Sequence, residues 1–216
     1  MIHLNDPFAF RSRRPSDAVQ AAVAPLDAVP AVQGLDAHAL GEWLSMTAEE
    51  ITAEAGILGR LVDVAVLRCM AATGYVPAQM GFAIRWDRKP ADIRGRGGAG
   101  VIFEERSPWF EIPRGPVVSV DAVEVNGDPV SEYDTDLASN PPRVALPWGI
   151  EVPEGLAVFE IRVTAGDQAP DPRFVEAALQ LAGHAYDHRG CEMAGAMRKS
   201  GARATLAPIR VYSGGL

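Results

Sequence analysis

The segment from Val163 to Gly190, VTAGDQAPDPRFVEAALQLAGHAYDHRG, constrains this chain more than any other. An alternating run ends at Ala165-Gly166, a polar turn punctuated by Pro170 and Pro172 follows, and a helix rich in small residues closes the segment. Asp171 has the side chain of an N-cap, and Pro172 sits at the first helical position, where a missing N–H costs nothing. Phe174, Ala178, Leu181, Ala182 and Ala185 recur at helical spacing and define one face. Val175, Leu179 and Tyr186 widen it, which predicts a helix buried on more than one side. Gly190 is placed to stop it at C′.

Upstream, Leu35, Ala39, Leu40, Trp43 and Leu44 form a short amphipathic pattern. Thr47-Ala48-Glu49-Glu50 reads as a capping box. It opens a second helix in which Ile51, Leu58, Leu61, Val62, Ala65 and Cys69 share a face. Gly56 and Gly59 weaken its first half and make a break or kink expected there; Gly74 ends it. The middle of the chain is β. Strands are predicted at Phe82–Trp86, Val101–Phe103, Trp109–Ile112, Val117–Val125, Arg143–Leu146 and Leu156–Thr164. Asn126-Gly127 is a strong type I′ hairpin signal. In the last strand Phe159, Ile161 and Val163 alternate with Glu160, Arg162 and Thr164, the mark of a half-buried strand. Helices, then strands, then a helix make an α+β fold: a small antiparallel helix bundle with an inserted β-rich segment and extended terminal arms. The expected organisation is an N-terminal arm over 1–34, a core over 35–190 and a basic C-terminal arm over 191–216. Within the core, helices are expected at 36–45, 47–73 and 172–189, and the β insert over about 82–164. The first arm holds Pro7, Pro15, Pro25 and Pro30 and no sustained period; its Phe8, Phe10, Val19 and Val23 are available to dock on a neighbour.

Charge is segregated. The net charge is −8, yet residues 115–188 hold 13 acidic and 3 basic side chains, whereas residues 189–216 hold 5 basic and 1 acidic. An acidic body with a basic tail suits assembly of a tail onto an acidic surface, and it disfavours binding of free duplex DNA. No apolar run is long enough for a transmembrane helix, and the N-terminus shows no apolar leader. Two cysteines, Cys69 and Cys191, fit reduced thiols in a cytosolic setting, Cys69 as a small core residue.

Three constellations bear on chemistry. His184 and His188 stand at i and i+4 on the last helix, a spacing that can hold a metal and that supports an alternative reading as a small metal-dependent hydrolase. The metalloprotease pattern needs a glutamate directly after the first histidine, and that position is Ala185; Asp187 points off the pair's face. His184 is instead expected to pack or hydrogen-bond, with His188 near the helix end, where a basic ring suits the dipole. Gly95 to Gly100 looks like a phosphate loop but is followed by a strand, not a helix, so a hairpin loop is expected. With Arg88, Lys89, Arg94 and Arg96 that loop can touch an acidic neighbour or DNA in a channel. The tail, with Arg198, Lys199, Arg203, Leu206, Pro208, Ile209, Arg210 and Tyr212, combines basic and apolar residues as a partner-binding segment does. Its alternative is to fold back on its own helices. No catalytic residue, resident metal or cofactor is read from the sequence.

The ordered set of these pieces resembles the head–tail connector (adaptor) proteins of tailed bacteriophages and gene transfer agents. It covers Leu35 to Tyr212. It comprises the short helix Ala37–Leu44, the longer helix ending Ala72-Thr73-Gly74-Tyr75, and Ile112–Val120 with its proline-valine-serine-valine run. It continues through Tyr133-Asp134, Val163–Gly166, the alanine-rich helix with Tyr186 and Arg189, and the tail Leu206–Arg210. The N-terminal extension and the glycine-rich insertion near Gly95 depart from the pattern, and Ile209 stands where such tails carry tyrosine. The resemblance implies a non-enzymatic ring of about a dozen copies. Its partners would be the portal protein and the next neck (stopper) or tail-terminator protein, with DNA passing through without sequence-specific binding. Assembly would take place in the bacterial cytoplasm and end in the neck of a phage-like particle. No membrane contact is implied.

Overall fold

The computed structural model describes residues 22–27, 31–88, 101–104, 107–147, 157–188 and 195–211. Outside them lie Phe8, Phe10, Val19, the loop with Lys89, Arg94 and Arg96, Arg189 with the expected helix stop at Gly190, Cys191, and Tyr212.

Helix α1 spans Ala37–Trp43 and α2 spans Ala48–Thr73. Both start on side chains that satisfy otherwise free amides. The Ala39 N–H donates to Asp36 Oδ1 at 2.8 Å. In the capping box the Glu50 N–H donates to Thr47 Oγ1 at 3.4 Å and the Thr47 N–H donates to Glu50 Oε2 at 2.8 Å. Helix α2 runs unbroken for 26 residues, so the break expected at Gly56 and Gly59 does not occur. A Cβ added at either glycine would meet nothing, while Leu58, Val62, Ala65, Val66 and Cys69 are buried along the length of the helix. Tertiary packing outweighs the local helix propensity. Gly74 ends the helix at φ +73, and a Cβ there would press on the Pro113 carbonyl.

The strands form two antiparallel sheets. The first has the order β1 (Ala22–Pro25), β2 (Met80–Arg88), β9 (Ala157–Ala165), β5 (Val117–Val125), β6 (Asp128–Pro129). The second has the order β3 (Val101–Glu104), β4 (Ser107–Glu111), β8 (Arg143–Ala145), β7 (Asp134–Asp136). Period-two burial sets the register of the first sheet. Phe82 pairs with Val163, Ile84 with Ile161 and Trp86 with Phe159, and all six are buried. The turn at Asn126-Gly127 has φ of 54° and 88°, the type I′ geometry its sequence calls for. The sheets meet through aromatic rings: Phe110 of β4 lies 5.3 Å from Trp86 and 5.0 Å from Phe159. Strand β1 falls in the stretch read as an arm without period and adds an edge to β2.

Helix α3 spans Pro172–Asp187, capped by Asp171 with Pro172 in its first turn. It packs against α2, against α1, and against the tail helices α4 (Ala196–Lys199) and α5 (Ala202–Leu206). That is why Phe174, Ala177, Ala178, Leu179, Leu181 and Ala182 are all buried. A 3₁₀ turn, Ala207–Ile209, follows. The buried side chains of helices and sheets form one continuous core, and the α+β reading holds.

Besides the shared core, backbone hydrogen bonds join the helical layer to the sheet. Gly115 N–H donates to Gly74 O at 3.1 Å and Val76 N–H donates to Gly115 O at 2.8 Å. Gly166 N–H donates to Pro116 O at 2.8 Å and Asp167 N–H donates to Val76 O at 3.3 Å. Gly166 has φ +127, and a Cβ there would land on the Ala78 carbonyl. Gly166→Ala is expected to destabilise the chain by more than about 1 kcal/mol, whereas Gly56→Ala, in open helical surface, is expected to stabilise it by about 0.5–1 kcal/mol. Denaturant unfolding of both variants checks this; shifts of the same sign would show that Gly166 is not conformationally required.

Candidate functional site

No constellation with catalytic geometry assembles among the described residues, and the surface features that stand out are segregated charge and a structured tail. The tail takes the folded-back alternative. Gly195 and Gly201, at φ +75 and +86, supply the corners before α4 and α5. Ala196, Ala202 and Leu206 are buried against the chain's own core. Thr205 Oγ1 lies 3.2 Å from Gln180 Oε1 and donates to it, tying α5 to α3. The tail then crosses to the end of α2: Asn140 Nδ2 donates to Arg210 O at 3.3 Å and Val211 N–H donates to Thr73 O at 2.8 Å.

This geometry sorts the tail residues. Arg198, Lys199, Arg203, Ala207 and Pro208 are exposed, and Ile209 and Arg210 are half-buried. None of the three exposed cations makes an ion pair among the described residues. Leu206, by contrast, is 2% exposed and packs into the chain's own core. Of the second cluster, Arg88 closes β2 opposite Ala157, and the rest lies outside the described residues.

The two sheets carry the opposite charge. Arg162 neutralises part of it, at 3.2 Å from Glu124 and 2.9 Å from Glu160. Arg143 pairs with Asp136 at 3.0 Å and stacks its guanidinium 4.6 Å from the Trp109 ring centroid. Asp121 accepts hydrogen bonds from Ser119 and Thr164. Asp121, Asp128, Glu132 and Asp134 remain exposed, so acidic side chains stay at the surface after this internal pairing.

His184 and His188 stack with ring centroids 4.2 Å apart. His188 Nδ1 lies 2.9 Å from the His184 carbonyl, which engages that nitrogen as a donor. Among the described residues no group of three or more histidine, cysteine, aspartate and glutamate side chains comes together to hold a metal. The hydrolase alternative therefore has no third ligand there. Cys69 is buried, and burial pushes its thiol up to about 12, which makes it a poor nucleophile. No helix among the described residues is long and apolar enough to cross a membrane.

One polar node was not read from the sequence. Tyr75, one residue past the left-handed Gly74, donates its hydroxyl to Asp167 Oδ2 at 2.6 Å and accepts the Asp171 N–H at 2.8 Å. Its ring lies 5.4 Å from Phe174. Burial raises the hydroxyl well above its ordinary value, and the hydrogen bond to Asp167 adds to this. Asp171 in turn accepts from the Arg173 N–H at 2.8 Å and pairs with the Arg173 guanidinium at 2.7 Å. The Arg173 side chain holds the Asp171 carboxyl below the usual carboxylate value. Two aspartates flanking the turn before an N-terminal proline were the available signal; which tyrosine they would meet was not.

No protein-family model matches the chain, and no curated protein matches it. Solved structures do. The chain is similar to one in the neck of an empty gene transfer agent (GTA) particle computed with C6 symmetry, at 21% identity and a TM-score of 0.62 over 88% of this chain and 96% of that one. It is similar to one in the neck of the native particle computed with C12 symmetry, at 19% identity and 0.55 over 88% and 96%. A chain from the virion of the native particle gives 18% identity and 0.56 over 88% and 95%. The protein therefore shares the fold of these particle chains over nearly their whole length.

The Tyr75 node is what holds that fold's two layers in register. Tyr75→Phe is expected to cost about 1–3 kcal/mol, since it strands the Asp171 N–H and the Asp167 carboxylate. Asp171→Ala removes both the cap and the ion pair and is expected to cost about 1 kcal/mol at neutral pH. Because the folded carboxyl lies below its unfolded value, that contribution is complete above about pH 4 and is lost as pH falls through the folded value. Denaturation of wild type and Asp171→Ala between pH 7 and 2 should give curves that converge in acid; a constant gap would show that the ionised carboxylate plays no part.

Proposed function

We propose that this chain is a structural, non-enzymatic subunit of the neck of a phage-like particle, where copies form a ring that joins the portal to the tail around the DNA channel. The observation that carries this reading is the similarity to chains of gene transfer agent particles, which spans 88% of this chain. Two of those chains come from necks computed with six-fold and twelve-fold symmetry.

A closed ring needs a heterologous interface, in which one face of each copy meets a different face of the next. Here the two ends of the charge distribution lie on different elements: basic side chains on α4 and α5, acidic ones on β5 to β7. Arg198, Lys199 and Arg203, with Pro208, Ile209, Arg210 and Tyr212, form the surface proposed to reach the portal. The acidic sheet faces the neighbouring copy or the next neck (stopper) or tail-terminator protein. The segment with Arg88, Lys89, Arg94 and Arg96 is the proposed neighbour or channel contact. A net charge of −8 keeps the ring from gripping the phosphate backbone, so DNA slides through without sequence-specific binding. Assembly in the bacterial cytoplasm, before the particle is complete, follows from this role.

Cryo-electron microscopy of purified particles tests it directly. The expected result is a ring of this chain between portal and tail, with α4 and α5 against the portal. The exposed triple reversal Arg198→Glu, Lys199→Glu, Arg203→Glu should leave the fold intact and reduce the yield of tailed particles about tenfold or more. Intact, tailed particles whose necks lack the chain would overturn the reading.

A further inference from the structure

Helix α2 carries a second apolar stripe that its own fold leaves uncovered. Ile57, Val64 and Leu67, at i, i+7 and i+10, are 39%, 46% and 50% exposed. Between them Arg60 turns back and donates from Nε to the Gly56 carbonyl at 3.0 Å. Leu67 also lines a groove of about 530 Å³ between α2 and the segment before α1. Leu35, Val62 and Val66 form its floor, and Asp36 and Asp63 stand at its rim. Asp36 spends one carboxylate oxygen on the α1 cap. Asp63 is exposed and has no hydrogen-bond or ion-pair partner among the described residues. Apolar floor and acidic rim together select a segment with large apolar side chains beside positive charge.

The chain contains such a segment. Residues 7–15 read PFAFRSRRP, with Phe8 and Phe10 followed by Arg11, Arg13 and Arg14 and no acidic residue. In an extended segment Phe8 and Phe10 share one side and Arg11 and Arg13 the other. Aromatic anchors in a pocket with arginines at its rim are the residues that dominate binding energy at interfaces. The route of the chain indicates whose groove is filled. Strand β1 pairs Pro25 with Phe82 and Ala22 with Arg85, so it enters from the end of β2 farther from α2. Ala22, where the described strand begins, thus stands at the end of the sheet away from the groove of its own copy.

We propose that Phe8–Arg14 of one copy docks in the groove between α2 and residues 31–37 of a neighbouring copy, with the phenyl rings on Leu35, Val62 and Val66 and the arginines on Asp36 and Asp63. This arm exchange rests on the ring reading above and names the contact that would link one subunit to the next. The contact needs an adjacent copy, so it forms only where copies stand side by side.

The test is disulfide trapping with the full chain in a Cys191→Ser background, where Cys69 is buried and unreactive. Phe10→Cys chains are mixed with Leu67→Cys chains of a different tag length under mild oxidation, both as concentrated protein and in purified particles. A mixed disulfide dimer is expected. Gly59 lines the groove with open space around it, so Gly59→Trp in the second chain should abolish the dimer without lowering the melting temperature. Asp63→Lys should weaken dimer formation, and Arg13→Asp in the first chain should restore it. A chain bearing both new cysteines that closes only on itself would overturn exchange between copies, and no disulfide in either preparation would overturn the groove as the docking site. Failure of the neck reading would look different: the chain would be missing from purified necks while the mixed dimer still formed.

Discussion

Three chain segments far apart in sequence meet at one backbone junction, and the rest of the structure depends on it. Gly74–Val76 leaves α2, Gly115–Pro116 enters β5, and Gly166–Asp167 leaves β9; four backbone hydrogen bonds join them. Close approach of the backbones at Gly74 and Gly166 leaves no room for a side chain, which is why glycine stands at those two points. A Cβ at Gly74 would press on Pro113, and one at Gly166 on Ala78. Tyr75 extends the knot outward. Its hydroxyl holds the turn before α3, and its ring meets Phe174 at the start of that helix. The end of one helix, the start of the other and two central strands are therefore set by a single point.

The parts of this architecture that follow a short-range rule were legible in the sequence. The caps at Thr47 and Asp171 pair a side chain with an amide two or three residues away, so spacing alone exposes them. The alternation in β9 and the Asn126-Gly127 turn are equally local. What escaped depends on distant partners. Strand β1 has too few residues to show a period, and it exists because the edge of β2 offers unpaired backbone groups. The glycines of α2 carried a correct local penalty that was outweighed by the buried face running the length of the helix. Within the candidate site, the residue types of the tail pointed to a binding segment. Composition could not tell that Leu206 faces inward while Arg203 faces outward, because that sorting follows from how α5 lies on α3.

The tail's construction bears on how a neck subunit would bind. A disordered arm that orders on contact gives up conformational entropy at that moment, and affinity falls accordingly. Here Ala196, Ala202 and Leu206 anchor α4 and α5 to the core, and Val211 is tied to the end of α2. Arg198, Lys199 and Arg203 are thereby presented on a surface that is already formed. In the proposed ring the basic face would dock with much of its ordering cost met in folding. The same tie brings Arg210 and Val211 beside Thr73, Gly74 and Gly115, so the tail's last described residues rest on the junction itself. In the proposed ring, a partner that uses this tail would therefore gain most by binding it as folded.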